Sequence, residues 1–198
     1  MCNDYEQHLN LKAFQDVMEQ LDLGLPTNLS AKDLPEADDI KVGGTGPVVR
    51  AAGNGIELAQ MTFGFPSPAP KRPRVFNFIS EKRDFSDSRR CGIPASAFFE
   101  FTGVHYPKAK HRFTLAGEPF LFVAGLWREG AGGDSFTMLT TSPGVDIAPY
   151  HDRQIVVLRP SDLSHWLYLT KPQSELLRPL PKGSLTHQQV RVGSDKAA

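Results

Sequence analysis

The sequence predicts one mixed α/β domain of the α+β kind, rich in antiparallel strands with a few peripheral helices. Three observations carry this. At 198 residues the chain suits a single core, with no need for disulfide or metal staples. Its 17 Gly, 16 Pro and 13 Phe favour many short strands joined by tight turns over a helix bundle. Apolar residues recur in short runs bounded by turn signals, and helical spacing is confined to a few segments. The domain is expected to span residues 1–192, with 193–198 (GSDKAA) a disordered tail.

Residues 1–8 are short and polar. From Leu9 to Leu23, apolar residues at Leu11, Phe14, Val17, Met18 and Leu21 line one face of an amphipathic helix, which Gly24 and Pro26 are expected to end. Residues 25–40 read as a polar, Pro-containing connection. A strand at Pro47–Arg50 and a partner over Ile56–Phe65 flank Asn54-Gly55, a good hairpin signal. Pro66–Pro73 is a Pro-rich basic loop, Val75–Ile79 a short apolar segment, and Ser80–Arg90 a charged helix or turn. Cys91–Phe101 reads as a buried strand or strand–turn–strand. Further strands are expected at Arg112–Leu115, Phe120–Trp127, Phe136–Thr141, Ile155–Leu158 and within Leu185–Val192. Asp146–Tyr150 suits one helical turn, and Ser161–Leu169 a short helix with Ser161 as its N-cap.

Charge and cysteine content narrow the functional classes. The 22 basic and 22 acidic side chains cancel, so the overall balance does not advertise nucleic-acid binding; Lys71, Arg72 and Arg74, and Lys82, Arg83, Arg89 and Arg90, form local clusters that also suit solvated loops. Two cysteines give no disulfide framework and no metal-binding spacing, so no metal or other cofactor is expected. The N-terminus lacks a signal-peptide pattern, and no apolar run reaches membrane-spanning length. The expected location is the cytoplasm, on the nucleoid when DNA is bound, with no membrane partner and a monomeric state.

Four residues are candidates for chemistry. Cys2 would become the N-terminus on removal of Met1, placing a free α-amine and a thiol on adjacent carbons. Both titrate within reach of neutrality, and together they can trap an aldehyde as a thiazolidine, which an internal cysteine cannot do. Position alone favours an ordinary second residue whose thiol has no role. Glu100, in the apolar run Ala97–Phe101, faces either solvent or a pocket; in a pocket its pKa would rise and it could move protons. His151, in His151-Asp152-Arg153 ahead of a strand, is either a surface histidine or an acid/base. Asn77 is either a structural amide or a binding group. Cys91 opens an apolar strand and reads as inert core. Phe63 and Phe65, beside the basic loop, are the aromatics expected to stack on bases.

In order and spacing these residues resemble the SRAP (SOS-response-associated peptidase) family, over roughly Cys2 to Val192. The resemblance runs through Met1-Cys2-Asn3, Pro47–Arg50, Phe63–Pro66, Asn77 with Ser80-Glu81, Arg90–Pro94, Phe99–Phe101, Phe122–Trp127, Leu139–Thr141, His151, Trp166-Leu167 and Arg178–Pro181. It implies a strongly curved antiparallel sheet and a positively charged groove for single-stranded DNA. It further implies that Cys2 links covalently to the ring-opened sugar of an abasic site, shielding the lesion, with Glu100 and His151 managing protons. Asn77, Phe63, Phe65, Arg72, Arg74, Ser80 and Arg153 would contact the DNA or the abasic sugar. The chain departs from the family's usual residues at Asp4 (Arg), Phe63 (Trp), Ile79 (Arg) and Gln154-Ile155 (Met-Pro), which implies weaker or altered DNA binding. Two alternatives stand beside this reading. One is a Cys2-dependent autoprocessing peptidase or hydrolase; the other is a non-catalytic DNA-binding relative.

Overall fold

A computed structural model describes residues 3–25, 29–53, 55–67, 69 and 72–195. Along the chain lie β1 (Asp4–Gln7), α1 (Leu11–Gln20), β2 (Ala37–Lys41), β3 (Thr45–Ala52), β4 (Gly55–Phe63), β5 (Asn77–Ile79), β6 (Arg90–Ala95), β7 (Ala97–Thr102), β8 (Ala109–Leu115), β9 (Leu121–Arg128), β10 (Ser135–Thr141), β11 (Gln154–Ile155), β12 (Val157–Leu158), α2 (Leu163–Tyr168), α3 (Gln173–Leu176) and β13 (Leu185–Arg191). The mixed, mainly antiparallel architecture is the one the sequence predicts.

The strands form two sheets. An eight-stranded sheet runs β11-β10-β4-β3-β6-β9-β12, with β5 added on β10. Because β9 also pairs with β10, the path β10-β4-β3-β6-β9 closes on itself as a small barrel. Closure removes sheet edges, and here it takes the expected curvature to its limit. The pairings of β10 with β4 and β5 are parallel; the other ladders are antiparallel. A second, five-stranded sheet runs β13-β8-β7-β1-β2.

Burial on both faces explains the near-continuous apolar run of β9. Leu121 and Val123 join one core cluster with Tyr5, Phe63, Phe98, Phe113 and Phe136. Their neighbours Phe122, Ala124 and Leu126 join a second with Phe14, Met18 and Trp166, under α1 and α2. Successive strand residues point to opposite faces, so each core takes every other side chain.

Several local expectations are corrected. The first helix starts at Leu11 because the Asn10 side chain accepts from the Lys12 and Ala13 amides. It stops at Gln20, before Gly24: Asp22 adopts φ 52°, its amide donates to Glu19 O, and the Leu23 amide donates to Met18 O. That is a Schellman closure with aspartate in the place usually held by glycine. Ser161 is not an N-cap. It lies inside a 3-10 turn, Pro160–Asp162, started one residue earlier by the fixed φ of Pro160, and α2 follows from Leu163. The polar stretches 1–8 and 25–40 contain β1 and β2, and the segment Ser80–Arg90 is made of turns closed by Arg90, whose guanidinium donates to carbonyls of Phe85, Ser86, Ser88, Trp166 and Leu167. In the tail, Asp195 is not loose: its carboxylate accepts from the Val104 and His105 amides. Asn54 of the predicted hairpin turn lies outside the described residues, while β3 and β4 pair from Thr45↔Thr62 to Ala52↔Gly55 as expected. No helix among the described residues is long and apolar enough to cross a membrane.

Barrel closure rests on close backbone approach at Gly125, which pairs with Cys91 on one side and Met138 on the other. A Cβ there would sit 2.5 Å from Ile93 Cδ1 and 2.7 Å from Thr137 O. Gly125→Ala is therefore expected to cost about 2 kcal/mol through overpacking, read as a lower urea midpoint; an unchanged midpoint would show that the barrel tolerates the methyl group.

Candidate functional site

The site is built where one strand run leaves the barrel. β6 and β7 are separated only by Ser96, so residues 90–102 pass from one sheet to the other almost without interruption. Ser96 fixes the crossing, donating from its hydroxyl to Glu6 Oε1 at 2.9 Å and accepting from the His8 amide at 3.0 Å. Beyond it, β7 pairs with β1 through Tyr5↔Phe98 and Glu6↔Ala97, and with β8 through Glu100↔His111. The β1 register, continued toward the N-terminus, brings Asn3 opposite Glu100.

A cavity of about 500 Å³ opens there. Asn3, Asp4, Glu100 and His151 line it, with Asp39 and Lys41 from β2, Lys110 from β8, Arg191 from β13, and Tyr106 and Lys108 from the β7–β8 connection. Glu100 and His151, both predicted, are thus brought together. Cys2 lies outside the described residues; its neighbour Asn3 is at the cavity.

Glu100 is 1% exposed, and its Oε1 has no hydrogen-bond partner among the described residues. Burial pushes its pKa up to about 7, because a low-dielectric surrounding disfavours the carboxylate. His151 follows a helical turn in which its amide donates to Ile147 O. Burial holds its imidazole below the usual range, so it is neutral at pH 7. Its Nδ1 accepts from the Arg153 amide at 3.0 Å and lies 2.8 Å from Asp152 Oδ1. The first contact suits the neutral ring and the second the protonated one.

A further carboxyl group shares the cavity. Asp4 is buried, and burial followed by its hydrogen bond to Asp39 raises its pKa to about 6. Lys110 Nζ stands 3.2 Å from Asp4 Oδ2, pairs with Asp39, and lies 3.5 Å from the centre of the Phe99 ring. Lys110 is thereby engaged by its own protein.

The other predicted contacts are distributed differently. Phe63 is 0% exposed and stacks on Phe136 with ring centres 5.0 Å apart, and Phe65 is 2% exposed. Neither has a face for a base, which corrects that expectation: both rings face the core as β4 ends. Ser80 is buried and presents no surface to a strand of DNA. Arg153 is half-buried and forked onto Glu81 at 2.7 and 2.8 Å, and also donates to Thr140 Oγ1. That pairing comes first among the causes holding Glu81 at about 2, so Arg153 acts as an internal tie. Arg74 donates to Gly64 O, while Arg72 is exposed. Asn77 starts β5 opposite Met138 and does not line the cavity. Cys91 is fully buried, and its thiol is pushed far above the ordinary range by burial. No group of three or more His, Cys, Asp or Glu side chains placed for a metal ion occurs among the described residues.

Sequence reasoning missed Asp4, Asp39, Lys41, Tyr106, Lys108, Lys110 and Arg191. The alternation Lys108-Ala109-Lys110 put both lysines on one face of a strand start, the one local signal available. The rest depend on β1, β2 and β13 meeting in one sheet.

A family model described as SOS response associated peptidase (SRAP) matches residues 1–194. Two curated proteins, each named abasic site processing protein YoqW, from Bacillus subtilis (strain 168) and Bacillus phage SPbeta, are 33% identical to the chain over 99 residues; the match covers 45% of this chain and 44% of each relative. Among solved structures, a protein from Bordetella bronchiseptica superposes with TM-score 0.68 at 24% identity, covering 96% of this chain and 100% of its own. A phage-related protein from the same organism gives 0.71 at 20%, covering 96% and 94%. A Bacteroides thetaiotaomicron protein gives 0.69 at 16%, covering 94% and 92%. These three show the shared fold.

The buried Glu100 leaves a thermodynamic mark. The folded state holds its proton more tightly than an unfolded chain, where the ordinary value is 4.5. Its contribution to stability therefore falls as pH rises from about 4.5 to about 7 and is level above. The lowered histidines, His111 and His151, act with the opposite sign, losing stability as pH falls below 6.5. The difference between Glu100→Gln and wild type isolates the glutamate. The variant is expected to gain on wild type across that window, by on the order of 2 kcal/mol at pH 8, in urea unfolding at a series of pH values. A pH-independent difference would refute the raised pKa.

Proposed function

Because the chain belongs to the SOS response associated peptidase family, we propose that it processes abasic sites in single-stranded DNA by capturing the sugar aldehyde at Cys2 once Met1 has been removed. The observation that carries this reading is the company Asn3 keeps: it lines one cavity with Glu100 and His151, so the residue following the expected nucleophile stands beside the two expected proton carriers. The name borne by the Bacillus relatives points the same way.

The chemistry follows from an amine and a thiol on adjacent carbons. The α-amine of Cys2 adds to the C1′ aldehyde of the ring-opened sugar, and loss of one water gives an imine. The thiol then adds to the imine carbon, its proton passing to the nitrogen, and closes a thiazolidine. The DNA is left covalently attached and the aldehyde is consumed. Water can leave only if the carbinolamine oxygen is protonated. A carboxyl group with a pKa near 7 suits that task, because it is part acid and part base at neutral pH. Neutral His151 is the partner that takes the thiol proton as the sulfur attacks and hands it on to the nitrogen. Asp4, also raised, adds a second buried acid at the same wall.

The test is direct. Wild-type protein incubated with single-stranded DNA carrying one abasic site should give a covalent product that survives denaturation, and Cys2→Ala should give none. Glu100→Gln should slow its formation by roughly 10²-fold or more, the range expected for one general acid/base group. Intact mass should show the chain beginning at Cys2. Met1 removal without any covalent product would sink the proposal, and Cys2-dependent turnover of a peptide amide would replace it with a hydrolase.

A further inference from the structure

We infer that the β7–β8 connection, with Arg191 beside it, is the platform on which the single strand docks: Tyr106 stacks on a base next to the lesion, and Lys108 and Arg191 hold flanking phosphates. This rests on the reading of the cavity as an abasic-site pocket.

Tyr106 is 84% exposed, yet the backbone that carries it is fastened. The Asp195 carboxylate accepts from the Val104 amide at 2.6 Å, the His105 amide at 3.0 Å and His105 Nδ1 at 2.8 Å. The Ser194 amide donates to Pro107 O, and Arg191 Nε donates to Lys108 O at 3.0 Å. A Cβ at Gly103, whose φ is 105°, would fall 2.4 Å from Asp195 Oδ2, so the clamp is tight against the loop. An aromatic ring in water contributes almost nothing to folding. Holding one out on a tied loop makes sense when a flat partner arrives from solvent, since the ordering cost has already been met.

Charge points to what that partner is. Lys110 is engaged by Asp4 and Asp39, and Lys41 stands 3.8 Å from Asp39. Lys108 and Arg191 form no ion pair among the described residues, although both line the cavity. Lys108 Nζ lies 5.7 Å from the centre of the Tyr106 ring, and the Arg191 guanidinium 5.8 Å from that of Phe101. Two cations without carboxylate partners, each beside an aromatic ring at the mouth of the cavity, match the alternation of phosphate and base along a single strand. With Phe63 and Phe65 in the core, stacking falls to the exposed ring of Tyr106.

The test uses the full chain and a fluorescent single-stranded oligodeoxynucleotide bearing a tetrahydrofuran site, an abasic mimic without an aldehyde, so that binding is read by anisotropy apart from chemistry. Tyr106→Ala should weaken binding roughly ten-fold, the scale of one lost base–aromatic stack, and Tyr106→Trp should restore it. Lys108→Ala and Arg191→Ala should each lower the salt dependence of log Kd by about 0.7, one single-strand phosphate contact. Unfolding midpoints report that the variants fold. If wild type links covalently to aldehyde-bearing DNA while all three alanine variants bind the mimic within about two-fold of wild type, the platform is overturned and the proposed function stands. If the variants weaken binding but wild type forms no covalent product, the platform stands and the function fails. Absence of binding and of product removes both, and tighter binding of the matching RNA strand overturns the assignment to DNA.

Discussion

The passage of one backbone run, Arg90 to Thr102, from the barrel into the second sheet is the constraint from which the site follows. In the barrel half, Cys91 and Gly92 pair with β3 and residues 90–95 pair with β9, which fixes the run in depth and direction. In the other half the same run lies between β1 and β8. Glu100 is therefore placed by its ladder with β8, next to β1, and its carboxyl group is brought into a space lined by strands of the second sheet together with His151 from the loop before β11. The interdigitated rings of the first core cluster, Tyr5, Phe63, Phe98, Phe113 and Phe136, fill the volume between the sheets, so the crossing cannot relax without opening the core. Burial of Glu100 is maintained by the whole fold, which is why its raised pKa survives in an otherwise polar cavity.

Around that carboxyl group the charges are arranged in layers of differing commitment. Arg153 and Glu81 tie the histidine loop to the turn after β5, and that pairing holds the Glu81 carboxyl at about 2. Lys110 is shared by Asp4 and Asp39, so part of the basic charge near the cavity neutralises acid already there. The zero net charge of the chain therefore understates how uneven its surface is: cations are spent where geometry needs fixing, while Lys108 and Arg191 have no ion-pair partner among the described residues.

Much of the fold was legible because strand periodicity is written locally. The run Phe120–Trp127, buried on both faces, and the paired segments at Pro47–Arg50 and from Ile56 onward could be read directly. β1 and β2 could not. In β1, Asp4 and Gln7 are polar yet buried, and in β2 Ile40 alone is buried, so neither shows an apolar pattern. Within the site, Glu100 could be singled out as a lone acid in an apolar strand, but whether it faced water or a pocket depended on β1 lying beside β7. Phe63 and Phe65 misled for the converse reason. Their proximity to a basic, Pro-rich loop suggested a surface, while the packing of Phe63 against Phe136, over seventy residues away in sequence, decided the matter. Lys108 and Arg191 are ordinary cations in sequence and gain meaning only because β13 pairs with β8.

The burial of Cys91 has a practical corollary for chemical labelling. With its thiol enclosed in the barrel and held protonated, Cys91 reacts only when the barrel opens. In the folded chain it cannot compete for an electrophile, so any sulfur adduct formed under native conditions reports on position 2. The appearance of a second modified cysteine by mass would time the opening of the barrel itself. The molecule thus carries an internal clock for its own unfolding.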